Sequence, residues 1–207
     1  MRVLNIVSSP RGSKSASITI ADAFLAAYCR EHPHVEVDTL NVWTEDLPDF
    51  DSEAIEAKYK GVSGATMDEA EAKVWTKIQA LVQRFQVADL LLVGVPMWNF
   101  AYPYKLKQLI DLVSQRNMLF TFDGRSFGPM LTVTRALVIF TRGQSYDDDG
   151  PTPASHFDHQ SRYMTFWLNF IGVTDVQTMF AENTWDDNGA ESAASARAKA
   201  AALALTF

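Results

Sequence analysis

Residues 8–17, SSPRGSKSAS, place five serines, one glycine and two cations between a short apolar run and the first helix-like pattern. Hydroxyl groups, exposed backbone N–H groups and a helix N-terminus together bind phosphate well. Neither G-x-G-x-x-G nor G-x-x-x-x-G-K-[ST] follows the apolar run, so the segment suits one phosphate monoester better than a pyrophosphate. The alternative interpretation is an ordinary helix N-cap, for which serine is a favoured residue.

A second segment, PMWNF at residues 96–100, surrounds one asparagine with bulky side chains. Met97, Trp98 and Phe100 could form a wall for a flat heteroaromatic ring. Asn99 could both donate to and accept from the polar edge of such a ring. The alternative is a packed corner of the hydrophobic core, where large aromatic side chains are commonly found.

A third segment, TRGQ at residues 141–144, offers polar groups and a glycine that permits close approach to the backbone. Taken alone, it is an ordinary polar loop. Its interest depends on position, because it would lie beside PMWNF if both segments follow neighbouring strands of one parallel sheet.

The hydrophobic pattern predicts that strands alternate with helices. Short continuous apolar runs indicate buried strands, and apolar residues three and four positions apart indicate helices. The predicted strands are Val3–Val7, Val35–Val42, Ala88–Val95, Ala136–Thr141 and Val176–Phe180. The predicted helices are Ser15–Cys29, Ser52–Tyr59, Met67–Phe85, Pro103–Val113, Ser155–Phe170 and Asp186–Leu205, with a small hairpin predicted at Leu119–Phe127.

This order predicts an α/β fold of the flavodoxin-like, doubly wound type, with a five-stranded parallel sheet covered by helices on both faces. No repeat, linker or low-complexity tract is evident, so we expect residues 1–207 to form one domain. In such folds the ligand lies at the carboxyl ends of the strands. The three segments would meet there, and together they fit flavin mononucleotide (FMN), which has one phosphate, a ribityl chain and a ring with a polar edge.

Composition disfavours several other classes of protein. The net charge of −7 argues against binding to nucleic acid or to an anionic membrane as the main activity. No stretch approaches the ~20 apolar residues of a membrane span, and the N-terminal apolar run is too short for a signal peptide. The single cysteine, Cys29, excludes an internal disulfide and fits a reducing compartment. We therefore expect a soluble cytoplasmic protein.

The chain resembles the FMN-dependent NADH-azoreductases, which belong with the flavodoxin-like NAD(P)H:quinone oxidoreductases. The resemblance spans nearly the whole chain: SSPRGSKSAS, then PMWNF followed by LKQLIDLV, then FTRGQ, DGPT, FIGVTDV and FAEN in the family's order. The P-M-[YW]-N-F turn followed by L-K-x-x-x-D is the specific part, whereas the serine segment is not specific by itself.

The resemblance implies a cofactor site, residue by residue. The phosphate and ribityl end would contact Ser9, Ser15, Ala16 and Ser17. The isoalloxazine ring would be lined by Met97, Trp98, Asn99 and Phe100, and its other polar edge would meet Thr141, Arg142, Gly143 and Gln144. The family usually has a second glycine where Gln144 stands, so this side chain could alter the flavin edge or the substrate entrance. Family members are homodimers with flavin near the interface, which implies a substrate pocket including Phe120, Phe122, Phe157 and Trp167.

The implied reaction is a ping-pong hydride transfer. NADH or NADPH would reduce bound FMN and leave, and a quinone or azo compound would then be reduced in its place. The cofactor carries this chemistry, so no obligatory catalytic acid or base is expected from the protein. Two alternatives remain open at this point: a flavodoxin-like electron carrier or redox-responsive FMN-binding protein without small-molecule turnover, and an FMN reductase that releases the reduced flavin.

We expect no metal site. His156 and His159 could share one helix face, but they lack further ligands at a suitable spacing. The acidic run at residues 147–149 lacks the spacing of a calcium loop. The alanine-rich C-terminal helix is explained by helix propensity alone and receives no functional role.

Overall fold

A computed structural model describes residues 1–131 and 135–207. The strands are β1 (Arg2–Val7), β2 (Glu36–Asn41), β3 (Leu90–Pro96), β4 (Phe120–Phe122), β5 (Phe127–Pro129), β6 (Arg135–Thr141) and β7 (Asp175–Ala181). The helices are α1 (Ala16–Glu31), α2 (Ser52–Ser63), α3 (Glu69–Gln86), α4 (Tyr104–Val113), α5 (Ala154–Phe157), α6 (His159–Ile171) and α7 (Gly189–Leu203). None of the helices in this part of the chain is long and apolar enough to cross a membrane.

Five strands form one sheet in the order β2-β1-β3-β6-β7, and every neighbouring pair in it is parallel. This is the strand order of the flavodoxin-like fold, so the predicted fold class is confirmed. The predicted hairpin is also confirmed as the antiparallel pair of β4 and β5, although its second strand extends to Pro129.

Helices cover both faces of the sheet, as the continuous apolar runs of the central strands require. One core cluster includes Phe85 of α3, Leu109 of α4 and Leu168 of α6. The cluster on the other face includes Phe24 of α1 and Ala200 of α7. Full burial of each large apolar side chain contributes roughly 1.5–3 kcal/mol, so the two cores hold the strand ends as a rigid platform.

Gly94 allows α1 to start close to the central strand. A Cβ atom at position 94 would lie 3.3 Å from the carbonyl oxygen of Ser17 and 3.5 Å from its Cβ. The carbonyl oxygen of Gly94 also accepts a hydrogen bond of 2.6 Å from the Ser8 hydroxyl, which attaches the serine segment to β3. The glycine in the apolar run VGV therefore sets how near the serine segment comes to β3.

The prediction of one helix over Ser155–Phe170 is wrong in one respect. The chain forms α5, leaves helical geometry at Asp158 (φ −85°, ψ 82°) and starts again as α6. The Asp158 carboxylate accepts from the backbone N–H of Ser161 at 2.8 Å, which caps α6. His156 and His159 therefore lie on two different helices.

Candidate functional site

The carboxyl ends of three adjacent strands bring the three polar segments to one edge of the sheet. Val7 of β1 pairs with Gly94 of β3, and Pro96 of β3 pairs with Thr141 of β6. The loops that follow these strands are the serine segment, the PMWNF turn and the TRGQ loop. Their expected meeting at the point where the strand order reverses is thus observed.

The serine segment is shaped as an open cradle and not as a conventional helix cap. Gly12 has a φ of +56°, and residues Gly12–Lys14 form one 3-10 turn before α1. Ser15 precedes α1 in extended conformation, but its side chain makes no capping hydrogen bond. Its hydroxyl instead lies 3.0 Å from the hydroxyl of Ser17. The first turn of α1 is therefore left uncapped by side chains, which favours the phosphate interpretation over the N-cap one.

A cavity of about 390 Å³ opens above this cradle. Its walls come from the serine segment, from the ends of β3 and β6, and from the start of α7. Three cationic side chains line it, and they belong to Arg11, Lys14 and Arg197. The wall from α7 was not predicted, because its residues are mostly alanine and glycine and carry no recognisable motif.

The PMWNF segment ends in a tight two-residue turn. Asn99 and Phe100 have φ values of +48° and +68°, and Trp98 and Ala101 exchange two backbone hydrogen bonds of 3.0 Å. These are the features of a type I′ turn, in which asparagine is favoured and a bulky residue such as phenylalanine is strained. Left-handed backbone at a non-glycine residue costs roughly 1–2 kcal/mol. The turn presents the Phe100 ring, which is 41% exposed, at the edge of the sheet.

A second cavity of about 230 Å³ adjoins the first. Asn99 and Phe100 of the PMWNF turn line it, together with Gln144 and Tyr146 from the loop after β6. The Tyr146 hydroxyl donates to the Met97 sulfur at 2.7 Å, and burial raises the pKa of this hydroxyl, so it stays a donor. An amide, a second amide and two aromatic rings suit a flat ligand with a polar edge.

The indole of Trp185 lies between the two cavities and lines both of them. It is 78% exposed and packs on the backbone of Gly143, where an added Cβ would lie 2.4 Å from the ring. The Trp185 backbone N–H donates to the Gly143 oxygen at 3.2 Å. Gly143 does permit close approach to the backbone, and the group that approaches it here is the Trp185 indole. Sequence reasoning did not identify Trp185.

The side chain of Arg142 is buried and does not reach either cavity. Only 3% of it is exposed. Its guanidinium donates to Asp158 at 2.6 Å, to Gln160 at 3.0 Å and to Glu182 at 3.2 Å. Gln160 in turn donates to the carbonyl oxygen of Val95 at 2.8 Å. This network joins the loop after β6 to the end of β3, so Arg142 holds the loop in position without contacting the cavities.

Hydrogen bonds and charge pairing lower the pKa of the Asp158 carboxyl. Burial alone would raise the pKa of its carboxyl, but hydrogen bonds from the Ser161 hydroxyl and backbone N–H, together with Arg142, outweigh burial and lower it. The carboxylate is therefore ionised at neutral pH. One residue further on, the backbone N–H of His159 donates to the Phe100 oxygen at 3.1 Å, which attaches α6 to the PMWNF turn.

The four aromatic residues predicted to line a substrate pocket lie in three different places. The Phe157 ring packs 5.2 Å from the Phe100 ring, beside the second cavity. Phe120 and Phe122 lie on the hairpin and each contact Phe127. Trp167 is buried in the core and donates to the Ser114 hydroxyl at 2.9 Å, so we assign it a structural role instead.

The open parallel sheet in this strand order, with a hydroxyl-lined and cationic cavity at its carboxyl edge, defines a doubly wound protein of the mononucleotide-binding class. A family model for the flavodoxin-like fold matches residues 1–205. The protein belongs to this family, and the resemblance inferred from its sequence is confirmed.

Relatives carry names that agree with this class. The chain is 59% identical over 207 residues to FMN-dependent NADH:quinone oxidoreductase 2 of Burkholderia lata, covering 100% of both chains. It is 42% identical over 187 residues to FMN-dependent NADH:quinone oxidoreductase 2 of Pseudomonas syringae pv. tomato, covering 90% of this chain and 88% of the relative. The crystal structure of azoreductase from Bacillus anthracis matches with a TM-score of 0.91, at 25% identity and 100% coverage of both chains.

Proposed function

We propose that the protein is an FMN-dependent oxidoreductase that transfers hydride from NADH or NADPH, through bound FMN, to quinones and azo compounds. The observation that carries this proposal is the pair of adjoining cavities, one lined by hydroxyls and cations and the other by amides and aromatic rings. The 59% identity to a quinone oxidoreductase over the full chain supports it.

The three segments can be matched to the successive parts of FMN, from the phosphate through the ribityl chain to the ring. Ser9, Ser15 and Ala16 line the larger cavity and would hold the phosphate and ribityl end at the uncapped start of α1. Ser17 would contribute through its backbone N–H, because its side chain is buried and does not line the cavity. Met97, Trp98, Asn99 and Phe100 would line the ring. Thr141, Gly143 and Gln144 would form the opposite side. Arg142 would act indirectly, by holding this loop in place, because its side chain is buried and its backbone N–H and carbonyl oxygen already bond to Ala181 and Thr184.

When bound, FMN accepts a hydride and passes it on, so the protein's part is to orient and to stabilise charge. Gly143 and Gln144 line the second cavity, and their N–H groups can donate to negative charge at the ring edge. Phe100 and Phe157 supply apolar surface on which the nicotinamide and then the acceptor would stack in turn. Such alternate use of one surface gives ping-pong kinetics.

Aromatic enclosure favours an enzyme over an electron carrier. Phe100 and Tyr146 line the second cavity, and Phe157 packs on Phe100 beside it, so the site offers aromatic surface for a small flat substrate, whereas a carrier would leave the ring edge open to a protein partner. Steady-state oxidation of NADH at several concentrations of benzoquinone tests the proposal. We expect parallel double-reciprocal lines. An FMN-loaded protein without turnover would favour the carrier, and loss of flavin on gel filtration would favour an FMN reductase.

We propose a homodimer, with no nucleic-acid or membrane partner, in the cytoplasm. Phe127 of the hairpin and Phe166 of α6 are 61% and 63% exposed, and both rings contact Phe170. Contiguous exposed aromatic rings of this kind indicate a contact surface. The hairpin rings Phe120 and Phe122 would then face the partner's site. Sedimentation equilibrium should give the mass of a dimer, and the mass of a monomer would contradict this.

We also propose that residues 1–207 form one domain.

Asn99 has two possible contributions, which can be separated by substitution. Glycine keeps the left-handed backbone but removes the amide, whereas alanine removes the amide and strains the turn. If the amide orients the flavin ring, Asn99→Gly and Asn99→Ala should both weaken FMN binding, by about tenfold for one lost hydrogen bond of roughly 1.4 kcal/mol. The dissociation constant is measured by quenching of flavin fluorescence. An unchanged affinity in Asn99→Gly would refute the amide contact.

A further inference from the structure

Arg197 lines the larger cavity together with the serine segment. It belongs to α7, the alanine-rich helix whose composition alone suggested no role. Its neighbours one position before and three positions after, Ala196 and Ala200, are buried in the same cluster as Phe24 of α1. Because α7 is packed on α1 through these small residues, the stem of Arg197 is held at a fixed position relative to the start of α1.

The charge around this cavity is unbalanced. Arg11, Lys14 and Arg197 line it, whereas no aspartate or glutamate among the described residues does. None of the ion pairs formed within residues 1–131 and 135–207 involves these three cations. The chain as a whole carries a net charge of −7. Unpaired cations that line one cavity of an acidic protein give that cavity a positive potential, which favours an anionic ligand.

We propose that Arg197 binds the phosphate of the flavin from a second helix, α7, and with Arg11 and Lys14 forms a cationic cluster around it. This inference rests on the proposed function, since it assumes that FMN is the ligand. Serine hydroxyls and the N–H groups at the start of α1 give the phosphate its direction. Arg197 adds a full charge and a planar pair of donors from a second helix, which makes FMN bind more tightly than the same ring without phosphate.

Comparison of FMN with riboflavin tests this directly, because the two differ only in the phosphate. We would measure the dissociation constants of both for the flavin-free protein, as wild type, Arg197→Met and Arg197→Lys. We expect Arg197→Met to weaken FMN binding by about tenfold, as for a charge-assisted hydrogen bond that is lost, and to leave riboflavin binding unchanged. Arg197→Lys should recover part of the loss, and raising the salt concentration should reduce the difference between wild type and Arg197→Met.

Lys199 is the matched control. It is an exposed cation on the same helix and does not line the cavity. Lys199→Met should bind both flavins like the wild type. The inference is overturned if Arg197→Met binds FMN as well as the wild type does, or if the substitution weakens the binding of FMN and of riboflavin equally. A wild-type protein that binds neither flavin would instead overturn the proposed function and this inference with it. The two failures can be told apart, because the first is seen in Arg197→Met and the second is already seen in the wild type.

Discussion

Asp158→Ala is expected to lower the free energy of unfolding by about 3 kcal/mol, because it leaves the buried Arg142 guanidinium without its closest partner. For a chain of this length, such a loss corresponds to a fall of about 6–12 °C in the melting temperature. Glu182 can compensate only in part, since it lies at 3.2 Å and is more exposed. Thermal denaturation followed by circular dichroism measures the effect.

The double variant Arg142→Met/Asp158→Leu shows whether the loss comes from the unpaired charge. Replacing a buried ion pair with apolar residues of similar size is often nearly neutral, whereas removal of one partner is costly. The double variant should therefore be more stable than Asp158→Ala. If its loss equals the sum of the losses in Arg142→Met and Asp158→Leu, the two residues do not interact as the structure indicates.

The same carboxylate makes stability depend on pH. The pKa of Asp158 is lower in the folded protein than its ordinary value of 3.8. Its contribution to stability is therefore fully present above that value and is lost as the pH falls below it, toward the folded-state pKa. Asp158→Asn should show a flatter decline in melting temperature below about pH 4 than the wild type. Parallel declines would show that other groups cause the acid sensitivity.

Gly94→Val is expected to produce the largest loss of flavin affinity. A Cβ at this position already lies 3.3 Å from the Ser17 carbonyl oxygen, and valine adds two methyl groups beyond it. Overpacking of this kind costs about 1–3 kcal/mol and would push the start of α1 away from β3. The serine cradle moves with it, so FMN binding should weaken by at least roughly tenfold, the equivalent of 1.4 kcal/mol. Titration of the flavin-free protein measures this loss.

Leu91→Ala controls for instability alone. Leu91 is fully buried on the same strand but lies near its other end, away from the three loops. Its truncation should destabilise the protein by about 2–5 kcal/mol and leave FMN affinity unchanged. Gly94→Ala should lie between the wild type and Gly94→Val. Equal loss of flavin in Leu91→Ala and Gly94→Val would show that affinity follows stability and not the position of α1.

The fold and the three loops could be predicted because each depends on short-range pattern. Continuous apolar runs such as residues 88–95 identify buried strands, and parallel pairing then brings their carboxyl ends together. The special backbone of the PMWNF turn also has a local cause, since Asn99 accepts left-handed geometry.

The contacts of individual side chains could not be predicted in the same way. Arg142 looked like a polar group for the ligand, yet it pairs with Asp158, 16 positions further along the chain. Asp158 also interrupts the predicted helix, because it is the N-cap of α6. Arg197 lines the larger cavity because α7 packs on α1, and Trp185 lines both cavities because the loop before α7 packs on Gly143. Residues of this kind have no local signal, because their roles depend on the tertiary packing.

The visible spectrum of the purified protein, followed during two anaerobic additions, tests the central claim most directly. We predict flavin absorption bands that stay with the protein through gel filtration, bleach on addition of one equivalent of NADH or NADPH, and return on addition of one equivalent of benzoquinone. A colourless protein that takes up no FMN, or bound flavin that neither nicotinamide cofactor bleaches, would contradict the account.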